Sequence, residues 1–310
     1  MFKVKSKHKV SFNEMKRLGD IINGTEAKAE EVLYTKAEKL KGREGYNPDF
    51  LEDWTIDLPK ATGIKANDML KLKDVDDVEL KYTHFSIIMS RSRKMSMITG
   101  VNIDGNQSQK IGRSDKWYLD SRIETNQQFG NELYQNNRFD RGHMVRREDP
   151  VWGDDAATAN LDTFHYTNAC PQIDVFNQHT WLGLENYILQ NARVYQMKVS
   201  VFTGPFFTNN DITYKDARIP DAYWKVIAFL KEDGTPSATA YKISQEKELS
   251  DMEFIYGPYK TYQVSIREVM MDTNLDFEAL EQYDGFSQHE IMSSLNNFKR
   301  EIRNFNDIML

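Results

Sequence analysis

Four consecutive residues, Asp140-Arg141-Gly142-His143, bring together the side chains of a hydrolytic site. Histidine is the side chain best suited to accept a proton near neutral pH. Arg141 beside it could grip a phosphate oxygen through its fixed fork of donors. Gly142 lets the backbone turn and a bulky ligand approach closely. The wider stretch "RFDRGHMVRREDP", residues 138–150, gathers four arginines around that histidine in a chain of formal net charge -7. Such local charge against an acidic whole points to a site that meets phosphate, with Arg138, Arg146 and Arg147 as candidate substrate contacts. Arg146 and Arg147 could equally pair with Glu148 and Asp149.

A second group follows in "TNACPQIDVFNQHTWLGLENY", which holds Asn168, Asn177 and Glu185. Asn177 and Glu185 are eight residues apart, which on a helix means about 80° around the axis and about 12 Å along it. Both could reach one cavity, and Asn177 also suits a helix N-cap. An amide oxygen with a carboxylate is a hard-oxygen environment suited to Mg²⁺, which keeps most of its waters and takes few protein ligands. His165 and His179 flank this stretch, but no pair of ligands there has a familiar zinc spacing.

In order and spacing, "DRGH", then "NxxPQ", then "FNQxxWxxLE" resemble the DNA/RNA non-specific endonuclease family, which includes Serratia-type nucleases and endonuclease G. The resemblance runs from about Tyr82 to Tyr262. It implies a ββα-metal site that cuts DNA and RNA to 5′-phosphate and 3′-hydroxyl ends, with Mg²⁺ as cofactor and Mn²⁺ able to substitute. His143 would be the general base, and Asn177 the one direct protein ligand of the metal. Glu185 would orient metal-bound water, Arg141 would neutralise charge on the scissile phosphate, and Asn168 would fix the histidine or the phosphate. The chain departs from the family in "GRSDKWYLDSRI", where Asp115 stands in place of a second functional arginine. Arg113, Lys116 and Arg122 are the nearby substitutes. Phosphodiester hydrolysis needs an activated water, a cation for developing charge and stabilisation of the leaving oxygen, and these residue types supply such a set. Contacts confined to phosphate and sugar carry no sequence information, so such a site cuts broadly.

The elements that must position these residues read as α+β: a central antiparallel sheet or sheets with flanking helices. Residues 1–75 read as a mostly helical, polar extension, with "NEMKRLGDIING" and "TEAKAEEVLYTKAEKLKGREG" carrying apolar residues at helical intervals and Gly45 placed to end the second helix. Residues 76–272 form the expected core. Within it "YTHFSIIMS" and "KMSMITGVNIDG" are strands, "AYWKVIAFLKEDGTPSATAYKIS" is a hairpin turning at "EDGTP", and "TWLGLENYILQNA" is a helix with Leu182, Tyr187 and Leu189 on one side. Residues 273–310 are expected to pack as C-terminal helices, through "FEALEQY" and "SQHEIMSSLNNFKREIRNF".

Composition narrows the classes. Hydrophobic content of 40% and aromatic content of 12% suit a packed core rather than a disordered chain. No apolar run approaches the roughly 18 residues that span a bilayer, so no membrane partner is expected. The basic start lacks the apolar region of a signal peptide, which predicts synthesis in the cytoplasm and leaves export by another route open. Cys170 is the only cysteine, which excludes an intramolecular disulfide and a cysteine-rich zinc site; it is expected to be buried. The expected partners are the DNA and RNA phosphate backbone, an inhibitor or regulatory protein that restrains the enzyme, and a second copy of the chain in a homodimer. Three other readings stay open: nucleic-acid binding without cutting, a small-nucleotide phosphodiesterase within a toxin or antiviral assembly, and a scaffold acting through its N-terminal residues.

Overall fold

The computed structural model describes residues 32–114, 116–173, 182–245, 261–286 and 300–302. The chain divides into two compact units, Met1–Val32 and Leu33–Leu310, and the second carries the elements below. Its strands are β1 (Glu79–Lys81), β2 (Phe85–Ser90), β3 (Met95–Asp104), β4 (Phe139–His143), β5 (Ala169–Ile173), β6 (Lys198–Pro205), β7 (Ala222–Leu230), β8 (Pro236–Ser244), β9 (Thr261–Val264) and β10 (Arg300–Ile302). The principal helices are α1 (Gly63–Asp68), α2 (Ala156–Asp162), α3 (Leu182–Val194) and α4 (Ile266–Thr273).

Eight strands form one antiparallel sheet in the order β10-β9-β8-β7-β6-β3-β2-β1. Successive side chains of a strand point to opposite faces, so long apolar runs such as "AYWKVIAFL" and "KVSVF" bury both. One face presents Ile87, Val101, Val201, Tyr223 and Ile227 to a core shared with β4, β5 and α3. The other presents Ile98, Phe202, Trp224 and Val226 to Tyr46, Phe50, Leu51 and Ile56, and to Ile266, Val269 and Phe277 near the C-terminal end. The hairpin of β7 and β8 turns as its sequence predicts: Lys231 N donates to Thr235 O at 2.9 Å, with Gly234 at φ +80°.

On the first face, β4 and β5 make a separate two-stranded antiparallel ladder, His143 opposite Ala169 and Gly142 opposite Cys170. With α3 next in the chain they form the ββα order. α3 rests on the end of β3 through backbone contact, since a Cβ on Gly105 would lie 1.8 Å from the Ala192 carbonyl oxygen. The buried stripe of α3 is Leu184, Glu185, Ile188, Leu189 and Ala192. Tyr187, expected on that stripe, is half-buried.

Two helical expectations are corrected. Within "TEAKAEEVLYTKAEKLKGREG", whose first seven residues lie outside the described ones, Tyr34–Thr35 is a strand paired with Leu119–Asp120, Ala37–Leu40 is a single 3₁₀ turn, and Gly45 at φ +82° lies against Ser86 beyond that turn. Pairing and burial of Leu40 and Tyr46 outweigh the helix propensity of Ala, Glu and Lys there. In the tail, Arg300–Ile302 is a strand that extends the sheet beside β9, while Glu278–Tyr283 is a 3₁₀ helix. The first segment "NEMKRLGDIING" lies outside the described residues, as does most of the tail.

Gly105→Ala is expected to destabilise the protein by about 1–3 kcal/mol, because the helix backbone above it has no side chain to move aside. Gly112→Ala, whose Cβ would meet nothing within 4 Å, is the matched control and should be near neutral. Urea unfolding midpoints of the two variants check this.

Candidate active site

β4 ends at His143, and strand alternation puts Arg141 on the same face. Trp117 packs on both: its ring lies 4.8 Å from the His143 ring, and the Arg141 guanidinium stands 5.5 Å from the indole centroid. Phe164 meets the imidazole edge-on at 5.3 Å. Arg141 also donates from Nη1 to Asn131 Oδ1 at 3.3 Å. The other face of β4 is closed, since a Cβ on Gly142 would fall 2.1 Å from Gln172 Oε1, and Gln172 itself is fully buried.

Asn168 locks the chain just beyond the histidine. Its Oδ1 accepts from Val145 N at 2.8 Å, its Nδ2 donates to Val145 O at 2.9 Å and to Thr163 O at 3.0 Å, and its carbonyl accepts from Met144 N at 2.9 Å. Of the two roles that the sequence leaves open for Asn168, its hydrogen bonds fit fixing the histidine's backbone. Its amide is fully buried and spent on main-chain partners.

The electrostatic setting of His143 is unusual for a histidine. Burial first, then the nearby guanidinium groups of Arg113, Arg147 and Arg141, push its pKa down to about 3. Nε2 is enclosed with no hydrogen-bond partner among the described residues. The imidazole is therefore neutral near pH 7. Arg113 reaches this setting because its loop is pinned: Arg147 Nη1 donates to Ile111 O at 3.0 Å and Asn160 Nδ2 to Gly112 O at 3.3 Å. Among the substitutes for the absent second arginine, Arg122 is committed elsewhere, with Nε and Nη2 on the buried Asp120 and its cation over the Tyr82 ring. Lys116 is exposed and does not bear on the histidine's charge.

Arg146 and Arg147 form the ion pairs the sequence allowed: both face Glu148, at 3.7 and 2.5 Å, and Arg193 of α3 joins them at 3.6 Å. Arg146 Nη2 also holds Asn186 Oδ1 at 2.7 Å, tying the turn after His143 to α3. Arg138 is exposed just before β4. Asn177 lies outside the described residues, as do Asp115, His179 and Trp181.

Glu185, on the first turn of α3, sits beside this turn rather than against the imidazole. It is 6% exposed, and burial drives its pKa up to about 7, with the neighbouring Lys225 opposing and Asp149 reinforcing the rise. Lys225 Nζ is 3.5 Å from its Oε1. Burial likewise raises the Asp149 carboxyl. Lys225, Asp149, Trp117 and Phe164 were not singled out as site residues from sequence. The available signal for Lys225 was parity: a lysine in "AYWKVIAFL" shares a face with Tyr223 and Ile227. In the described part of the donor set Glu185 offers the hard carboxylate oxygen that a divalent cation's water shell takes; its Oε1 meets no strict hydrogen bond and has Lys225 Nζ as its ion-pair partner at 3.5 Å.

Comparison with known proteins agrees with this geometry. The family described as DNA/RNA non-specific endonuclease matches residues 67–284. A protein of Sinorhizobium fredii, uncharacterized protein y4fB, is 38% identical over 266 residues, 78% of this chain and 40% of its own length. Mitochondrial endonuclease G of Bos taurus is 34% identical over 108 residues, covering 35% of this chain and 33% of its own. The chain thus matches well under half the length of these relatives. Among solved structures, a chain from the EndoG/EndoGI complex, described as showing the mechanism of EndoG inhibition, aligns with a TM-score of 0.54 at 18% identity. That alignment covers 66% of this chain and 86% of the other, and supports the α+β fold with its large antiparallel sheet.

The depressed pKa has a definite sign in stability. Below the ordinary value near 6.5 the unfolded chain takes up a proton that folded His143 refuses. Its contribution is therefore intact above pH 6.5 and is lost as pH falls toward about 3. In the metal-free protein the His143 ring should remain neutral at pH 5 by NMR titration; a midpoint near 6.5 would contradict the geometry.

Proposed function

The chain belongs to the DNA/RNA non-specific endonuclease family, and from that premise we propose that it is a metal-dependent nuclease that hydrolyses phosphodiester bonds in DNA and RNA at the site around His143. The observation that carries this reading is the His143 imidazole at the end of β4, packed with Arg141 against the Trp117 ring while Asn168 fixes the backbone just beyond it. That combination sets a proton acceptor beside a guanidinium group able to meet a phosphate.

In the proposed mechanism an imidazole nitrogen of His143 takes the proton of the attacking water as it approaches phosphorus. A positioned base of this kind supplies typically about 10²- to 10⁴-fold. Arg141, steadied by the Trp117 ring and Asn131, neutralises charge on the scissile phosphate. Arg113 takes the part of the second phosphate-binding arginine, and Arg138, Arg146 and Arg147 extend the cationic track for the nucleic-acid backbone. Asn168 keeps the base in register with its strand. Asn177 would hold Mg²⁺ or Mn²⁺ directly, and Glu185 would orient the water around the ion. When bound, that ion supplies a Lewis acid for the phosphate oxygens and the leaving 3′-oxygen. The products are then 5′-phosphate and 3′-hydroxyl ends.

Control of so broad an activity falls to an inhibitor or regulatory partner, a proposal supported by the fold's similarity to a chain from the EndoG/EndoGI complex. Residues 76–272 are proposed as the catalytic core, capped by the preceding stretch whose Leu40, Tyr46, Phe50 and Ile56 pack into its hydrophobic clusters.

Incubating supercoiled plasmid and structured RNA with Mg²⁺ or with EDTA, and comparing wild type with Asn177→Ala, tests the reading. Both polymers should be cut with Mg²⁺ only, leaving ends that ligate without prior phosphorylation, and Asn177→Ala should lose at least about 10²-fold. Cleavage that persists in EDTA, or ends bearing 3′-phosphate, would overturn it.

A further inference from the structure

Lys225 lies in the middle of β7, opposite Thr203 of β6 and Tyr241 of β8, at the centre of the eight-stranded sheet. It is 1% exposed, on the face where Tyr223 and Ile227 pack beneath α3. A buried ammonium is costly, and a buried ion pair can often be replaced by apolar residues of similar volume without loss of stability. Stability alone therefore gives no reason for a lysine here.

What surrounds it does. Nζ donates to Thr203 Oγ1 at 3.0 Å and lies 3.5 Å from Glu185 Oε1. Thr203 is itself fixed, its carbonyl accepting from Thr99 Oγ1 at 3.0 Å. From the opposite side Arg146 Nη2 holds Asn186, the next residue of α3, at 2.7 Å. The first turn of α3 is thus pinned between the sheet, through Glu185, and the turn that leaves His143, through Asn186. Asp149, buried at the end of that turn, adds a second carboxylate within the field of Lys225.

We propose that Lys225, anchored by Thr203, is a positioning residue that holds the Glu185 carboxylate in the orientation the divalent cation's water shell requires. This rests on the nuclease reading above. Lys225 touches neither substrate nor metal; it acts through Glu185. Outer partners of this kind typically change metal affinity or activity by about 10- to 100-fold when removed.

The test is a double-mutant cycle of Lys225→Met and Glu185→Gln, with Thr203→Val as a milder variant that leaves the lysine in place. Mn²⁺ affinity is measured by calorimetry on the full chain without nucleic acid, alongside kcat and KM on plasmid and the unfolding temperature. Lys225→Met should weaken Mn²⁺ binding about tenfold or more and lower kcat with KM unchanged. In the Glu185→Gln background it should add nothing. Thr203→Val should shift Mn²⁺ affinity in the same direction by less. Unchanged Mn²⁺ affinity in Lys225→Met, or effects that multiply with Glu185→Gln, would overturn the proposal. Should Lys225→Met not fold, Thr203→Val decides: wild-type Mn²⁺ affinity overturns, a weakened one supports. A wild type that neither binds Mn²⁺ nor cuts would fail the nuclease reading itself, whereas one that does both with indifferent variants fails this inference alone.

Discussion

The antiparallel pairing of Phe139–His143 with Ala169–Ile173 determines what every other part of the site can reach. A slip of one residue would exchange the faces of the strand, sending His143 and Arg141 into the core and Asp140 outward. Two features hold the register. Gly142 lies so close to the buried Gln172 that no other residue fits without displacement, and Asn168 closes four hydrogen bonds around Val145, Thr163 and Met144. The main sheet then serves as a floor. Its face beneath β4, β5 and α3 carries the apolar core, and Lys225 and Thr203 meet Glu185 within it.

Charge in this protein is local. The chain is acidic overall, yet the arginines divide into two sets with different work. Arg93 and the half-buried Arg122 pair with the buried Asp211 and Asp120 and serve the fold. Arg113, Arg147 and Arg141 bear on His143 and add to burial, the larger cause, in holding its pKa down. Fields that repel a proton from the histidine would also attract a phosphate, so in the proposed function one arrangement serves both base and binding site. The belt of Arg146, Arg147 and Arg193 around Glu148 continues that positive region toward the end of α3.

Much of the site was legible because catalytic groups on short strands and helix turns keep fixed spacing along the chain. "DRGH" and Glu185 fall on β4 and α3 as their motifs required, and the hairpin turning at "EDGTP" was readable from its turn chemistry. Among the helices expected around residues 25–45 and near the C-terminus, Tyr34–Thr35 and Arg300–Ile302 are strands instead, while Glu278–Tyr283 is a 3₁₀ helix. The Ala, Glu and Lys content of these segments expresses local preference, whereas Tyr34–Thr35 and Arg300–Ile302 are set by pairing with distant strands. Arg113 could not be chosen over Lys116 or Arg122 from sequence, since the choice depends on Arg147 and Asn160 pinning its loop from 34 and 47 residues further along the chain. Lys225 was hidden for a related reason. A charged residue inside an apolar run acquires meaning only when the helix that covers it is known.

The central claim is that His143 acts as a neutral base, and chemical rescue tests it most directly. His143→Ala should bind nucleic acid as wild type does, with cleavage reduced at least about 10²-fold. Added imidazole should restore part of the rate, with a pH profile that follows free imidazole rather than the buried side chain. A His143→Ala variant that cuts at the wild-type rate without imidazole would contradict the account.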